Sequence, residues 1–297
     1  MGNIVHSSKI DKRKWNQLVD DTENATIFSK SFYWESTADD WYAYLDPNYT
    51  YAIAFGVTQK LGIKSIYPPF YHRYTEILGE KNEVDLNHFE EAIKKHFSYG
   101  TLQTREDFLK STTKEEYIFQ VIPSGNKILK TQAKRMLKKA SNYKLSENVA
   151  QKELSTLILS VMKEKLDFYN TRTAQRLSQL VEKVEKEGDL ISLGLYEKEK
   201  LVGGLFGLSY KNRLIYLKGA CLSEVTKNGG MYLLMNELIE IASKNNQLFD
   251  FGGSRVEGVR YFNTRFNSED KKYFSYTWNR APYWFKIIQR IRKWVKK

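Results

Sequence analysis

Cysteine is almost missing from this chain. Cys221 is the only one in 297 residues, so no disulfide can close within the chain, and a reducing compartment is expected. Histidine is sparse too. His6, His72, His88 and His96 are scattered, and no HExxH-like pair exists, which argues against a structural zinc site; no metal is expected. No apolar run reaches membrane-spanning length. The opening segment MGNIVHSSKIDKRKW lacks the apolar stretch of a signal peptide. Met1-Gly2 begins like a myristoylation signal, but His6 stands where that signal needs Ser or Thr. Acid is absent from two stretches: residues 127–144 carry seven Lys or Arg, and residues 286–297 carry six. Net charge is +12. Such surfaces either draw polyanions (tRNA, anionic lipid head groups, a phosphorylated substrate) or simply keep the protein solvated. These absences together imply a cytoplasmic protein, either free or peripheral to the inner face of the membrane.

What is present is a folded chain. Hydrophobic residues make up 41% and aromatics 14%, too much for disorder, and the length suits two modules. Residues 191–254 organise the rest. Ile191, Leu193 and Leu195 alternate with Ser192, Gly194 and Tyr196, the period of a strand with one buried face. Residues 201–208 and 214–220 supply two more strands. The period then changes: Met231, Leu234, Met235, Leu238 and Ala242 recur at helical spacing, and residues 248–251 return as a strand. Before that helix lies the loop Thr226-Lys227-Asn228-Gly229-Gly230. Glycines let a ligand approach the backbone, and the first turn of a helix has outward N–H groups, so the loop suits phosphate; otherwise Gly229-Gly230 merely turns the chain.

The N-terminal half repeats the order of elements. Residues 49–55 and 63–67 read as strands, Pro68-Pro69 ends the second, and Asp85 caps a helix whose face is Leu86, Phe89, Ile93 and Phe97. Residues 99–103 and 117–122 follow as strands. The turn Pro123-Ser124-Gly125-Asn126 marks a boundary, giving modules at 1–125 and 126–297. A basic helix at 130–140 and two amphipathic helices at 152–166 and 174–187 come next. At the C-terminus Trp284, Ile287, Ile288, Ile291, Trp294 and Val295 share one helical face among basic residues. That helix either caps the core or lies on an anionic membrane surface through residues 284–297.

Phe249-Asp250-Phe251-Gly252-Gly253-Ser254, followed by Gly258, Phe262 and Arg265-Phe266-Asn267, resembles the "DFGGS…G…F…FG" segment of FemAB-like peptidyl/acyltransferases. Lys134-Arg135 and Lys138-Lys139-Ala140 resemble the basic helix that opens their second module, and Lys227–Met231 resembles the loop before their donor-site helix. The resemblance implies an α/β (α+β) fold of two tandem GNAT-like modules, each a mixed, mostly antiparallel sheet flanked by helices. Two departures stand out: Asn267 replaces a glycine, and residues 146–187 have only the length of the module's ordinary helices, whereas tRNA-using members often carry a long helical hairpin.

The chemistry implied is acyl transfer from acyl-CoA to an amine or hydroxyl. No Ser-His-Asp pattern and no G-x-S-x-G elbow occurs, so direct transfer in a ternary complex fits better than a covalent acyl-enzyme. Asp250, at a strand end, either orients or deprotonates the nucleophile or caps the Gly252-Gly253 turn. Lys218, on an otherwise apolar strand, faces the cleft or solvent. Lys227, Asn228, Gly229 and Gly230 are the donor-site candidates. Tyr71, Arg73, Ser254 and Arg255 are candidates for binding the acceptor, a small-molecule or lipid-linked group. Two other functions are compatible: an aminoacyl-tRNA-dependent transferase acting on a cell-wall or lipid precursor, and a non-catalytic polyanion or membrane-surface binder.

Overall fold

The computed structural model describes residues 2–110, 113–126, 128–147, 149–165, 171–253 and 256–295. In chain order it has strand β1 (Asn3–His6), helices α1 (Lys12–Asp21) and α2 (Ser31–Thr37), and strands β2 (Asp40–Leu45), β3 (Tyr51–Lys60), β4 (Ile63–Ile66) and β5 (Ile77–Gly79). Helix α3 (Leu86–His96), β6 (Tyr99–Thr104), β7 (Thr113–Ile122), α4 (Thr131–Lys139) and β8 (Lys144–Glu147) follow. After these come α5 (Gln151–Lys165), α6 (Thr171–Glu187), β9 (Leu190–Glu197), β10 (Lys200–Tyr210) and β11 (Arg213–Cys221). The last elements are α7 (Ser223–Lys227), α8 (Gly230–Lys244), β12 (Leu248–Asp250), α9 (Glu257–Asn263), β13 (Glu269–Asn279) and α10 (Tyr283–Val295).

Packing divides the chain into two units. Unit 1 comprises Met1–Ala25, Ala38–Glu116 and Tyr273–Lys297. Its strands run in the order β1-β2-β3-β4-β6-β13, with β5 on β3. All these pairs are antiparallel except β4 with β6. Asp85 caps α3 by accepting from the His88 N–H, and Phe89, Ile93 and Phe97 are buried against the sheet, as the helical period requires. Tyr276 and Trp278, brought by β13, complete that core.

Unit 2 comprises Thr26–Thr37 and Tyr117–Lys272. Its order is β7-β12-β11-β10-β9-β8, with only β11 and β12 parallel. Leu234, Met235, Leu238 and Ala242 of α8 are buried against Leu205, Leu214 and Phe249 of the sheet. Helix α2 packs on α6, where Lys183 reaches Glu35 at 3.5 Å.

The two units share one topology. In each, antiparallel strands lead to a strand that pairs in parallel with the strand after the next main helix: β4 with β6 around α3, and β11 with β12 around α8. A further antiparallel strand follows in each unit, β13 on β6 and β7 on β12. Each unit is thus a mixed, mostly antiparallel sheet with helices.

Candidate functional site

The parallel pair of unit 2 parts almost as soon as it forms. Arg213, Leu214 and Ile215 register with Leu248, Phe249 and Asp250, and the pairing ends there. Its end is written in the backbone. Gly252 and Gly253 have φ of +80° and +79°, the left-handed region that only glycine enters freely, and these turns break the pleat. Asp250 builds the turn by accepting the Gly252 N–H through Oδ1 at 2.9 Å. A Cβ on Gly252 would stand 2.4 Å from the Tyr216 carbonyl oxygen, so a larger residue cannot pass here.

β11 continues beyond the parting. Opposite β10, Phe206 faces Lys218 and Gly207 faces Tyr216, so Leu217 is an extra residue in a β-bulge. A bulge re-aims the side chains after it, and Lys218 is the first of these. Lys218 is half-buried, and desolvation pushes its ammonium below the ordinary 10.5. Burial raises the Tyr216 phenol, whose hydroxyl donates to the Gly219 carbonyl at 3.4 Å. Asp250 is wholly buried, and Arg213 Nη1 lies 2.9 Å from its Oδ2.

β11 leads through α7 into the loop that opens α8. Gly229 is the N-cap residue of α8 with φ +88°, and no side chain caps the helix. Its Cβ would lie 2.4 Å from the Met136 carbonyl oxygen, and a Cβ on Gly230 would lie 2.4 Å from Val225. The glycines therefore let α4 and α7 close on the helix start. This brings the basic helix to the loop: Lys139 Nζ donates to the Lys227 carbonyl at 3.1 Å. Arg135 and Arg265 both act on the Tyr232 phenol in the first turn, lowering its pKa against a larger rise from burial. Lys227 and Asn228 are more loosely held, reaching Glu224 at 3.6 and 3.5 Å. Uncapped N–H groups with cations around them could hold an anion, because the helix dipole and the side-chain charges act together there.

Of the residues singled out by sequence, Lys218, Asp250 and Lys227–Gly230 all belong to unit 2, along one path from the parted strands to the start of α8. Tyr71 and Arg73 belong to unit 1, in the segment after Pro68-Pro69. Both are buried; the Tyr71 ring meets Phe70 edge-on at 4.9 Å, and the Arg73 guanidinium lies over Tyr74 at 4.8 Å. Ser254 and Arg255 lie outside the described residues. Sequence reading missed Arg213, which sits at the end of a polar turn 37 positions from Asp250, and it gave no sign that Lys139 and Arg135 reach the glycine loop. Among the described residues no group of His, Cys, Asp or Glu is placed to hold a metal ion, and no helix is long and apolar enough to cross a membrane.

The sequence of residues 132–262 matches the family described as the acetyltransferase (GNAT) domain. No curated protein sequence matches the chain. Among solved structures, FemX is similar with a TM-score of 0.64 and 12% identity, covering 93% of this chain and 98% of FemX. The C-terminal domain of a putative lysylphosphatidylglycerol synthetase from Agrobacterium fabrum gives a TM-score of 0.58 at 10% identity, over 92% of each chain. A tandem GNAT protein from the clavulanic acid biosynthesis pathway gives 0.53 at 11% identity, over 95% of this chain and 99% of that one. Residues 132–262 thus match the GNAT acetyltransferase domain in sequence, and nearly the whole chain shares its fold with FemX and with the tandem GNAT protein.

Proposed function

We propose that the chain moves an acyl group from a coenzyme A thioester to an amine or hydroxyl acceptor, by direct transfer while both are bound. The observation that supports this most is the parting of β11 from β12 after Ile215, on a strand that leads to the uncapped, cation-lined start of α8. The residues there fit a phosphate-bearing donor: the uncapped N–H groups that open α8, with Lys139 and Lys227 beside them. The thioester supplies an acyl carbon activated for attack and a thiolate that leaves as the acyl–nitrogen or acyl–oxygen bond forms, and that thiolate takes up the proton which the amine or hydroxyl gives up. Lys218 supplies a desolvated cation for the negative charge that develops on the acyl oxygen, a charge worth most where water is excluded. Asp250 acts as a positioning residue. Its two oxygens are engaged by Arg213 and the Gly252 N–H, so it holds the turn at the parting and takes no proton. Tyr71 and Arg73 are our candidates in unit 1 for holding the acceptor, and Arg255 with Ser254 are candidates after the turn, arginine's planar fork suiting a carboxylate or phosphate.

A second reading keeps the chemistry and changes the donor to an aminoacyl-tRNA, with a cell-wall or lipid-linked acceptor. The exposed Lys134, Arg135, Lys138 and Lys139 of α4 favour it, as does the likeness in fold to FemX and to the lysylphosphatidylglycerol synthetase domain. Calorimetric titration with CoA and acetyl-CoA decides between them. Gly230→Glu would be a poor control because its side chain would collide with Val225. The exposed pair Lys139→Glu and Lys227→Glu serves better. Micromolar binding by the parent, weakened about tenfold or more in the double variant, is the expected result, since hydrogen bonds to charged groups contribute about 1.5–3 kcal/mol each. No binding of either compound, with salt-sensitive binding of charged tRNA, would replace the first reading by the second.

A further inference from the structure

Three residues of the apolar stripe of α10 face outward. Its spacing places Trp284, Ile287 and Ile291 on one side of the helix, the side that a core cap would bury. In the structure these three are 48%, 39% and 55% exposed, and Tyr283 is 72% exposed. The helix is fastened to unit 1 by another residue. Phe285, off the stripe, is buried, with its ring 6.2 Å from Tyr99, and its N–H donates to the Pro282 carbonyl at 3.0 Å. An anchored helix therefore presents two aromatic rings and two isoleucines to the outside.

We infer that this face of α10 docks the protein on an anionic phospholipid surface. Charge selects that occupant. From Lys286 to the C-terminus the sequence carries six Lys or Arg and no acid, which complements lipid phosphates. It opposes a second copy of the same helix, where cation would meet cation. The stripe chemistry agrees: tryptophan and tyrosine settle at head-group depth, and isoleucine enters the acyl boundary. Nucleic acid would reward stacked rings and not isoleucine. No helix is long and apolar enough to cross the bilayer among the described residues, so the contact lies in the plane of the surface. Such a contact would bring an enzyme to lipid-linked acceptors, yet it stands without any assumption about the donor.

The test is flotation of the full chain with vesicles of phosphatidylcholine alone or mixed with phosphatidylglycerol, at low and high salt. The protein should float with the phosphatidylglycerol vesicles only, and salt should weaken the association as the surface potential is screened. Ile287→Glu with Ile291→Glu should lower partitioning about tenfold or more, since each removes a buried apolar side chain from the interface. The unfolding midpoint should hold, because both positions are exposed. Absence of flotation, or equal flotation by the double variant, would overturn the inference. So would light scattering that shows a dimer which the same substitutions dissociate. Neither failure touches donor binding, which is measured separately.

Discussion

Asp250 shows how much one side chain decides. It has no exposure to water, and it joins Arg213 to the turn at Gly252. Asp250→Ala should remove the Arg213 ion pair and the acceptor of the Gly252 N–H together, costing about 3 kcal/mol or more in urea unfolding. Asp250→Asn keeps an acceptor for the N–H and should cost clearly less; equal losses would mean that Arg213 gains nothing from the carboxylate. Lys218 gives the second prediction. Desolvation disfavours its charged form, so its pKa falls below 10.5. Between that lowered value and 10.5 the unfolded chain binds more protons than the folded one, and this group's contribution to stability rises with pH. NMR titration of methyl-labelled lysines should find the Lys218 resonance moving at lower pH than those of the exposed lysines. A Lys218 that titrates with the exposed lysines would remove the case for a desolvated cation at the parting. At this scale the sequence was half legible. An aspartate two residues before a glycine announces a turn, but nothing local announces a partner in another strand.

At the scale of elements, legibility followed periodicity. The faces of α3 and α8 stand in the sequence because one side of each is buried on a sheet, and the end of α6 is marked by Gly188 at φ +84°. The strand β1 and the helix α2 carry no such mark: β1 is a short edge strand with half-exposed residues, and α2 is buried on nearly every side, so neither alternates. The stripe of α10 was legible as a stripe, but a sequence period cannot say which way a helix turns. Two glycines test the packing around helix ends. Gly188 and Gly229 both have left-handed φ, but a Cβ on Gly188 meets nothing within 4 Å, whereas one on Gly229 meets the Met136 carbonyl oxygen at 2.4 Å. Gly188→Ala should cost only the backbone term, about 1–2 kcal/mol. Gly229→Ala should cost visibly more and should also weaken donor binding, because α4 must retreat from the loop. Matching costs in chemical unfolding would show that the α4–α8 closure has slack to absorb a methyl group.

The whole molecule repeats one topology twice, and the sequence displayed this as an order of elements without any repeat of residues. What it did not display is which distant strand each unit takes in. Unit 1 takes in β13, which arrives after all of unit 2, and Tyr276 and Trp278 from it sit in the unit 1 core, where the Trp278 indole N–H donates to the Phe97 carbonyl at 2.7 Å. Unit 2 takes in β7, with Ile122 opposite Phe249 and Val121 opposite Asp250. Helix α2, from the first 40 residues, belongs to unit 2 as well. Such pairings carry no local signature, because strand order is set by contacts far apart along the chain. They make a definite prediction about fragments. Residues 1–125 alone would lack two large aromatic residues and would leave the edge of β6 without its partner. Residues 126–297 alone would lack β7 and α2, leaving β12 open along the side where Asp250 sits. Neither fragment should melt cooperatively, and both should tend to aggregate through their exposed strand edges. Mixed together during refolding, they should recover the circular dichroism and the cooperative transition of the intact chain. A monomeric 126–297 fragment with a sharp transition of its own would show that β7 is dispensable, and that the turn at Asp250 holds without a strand beside it.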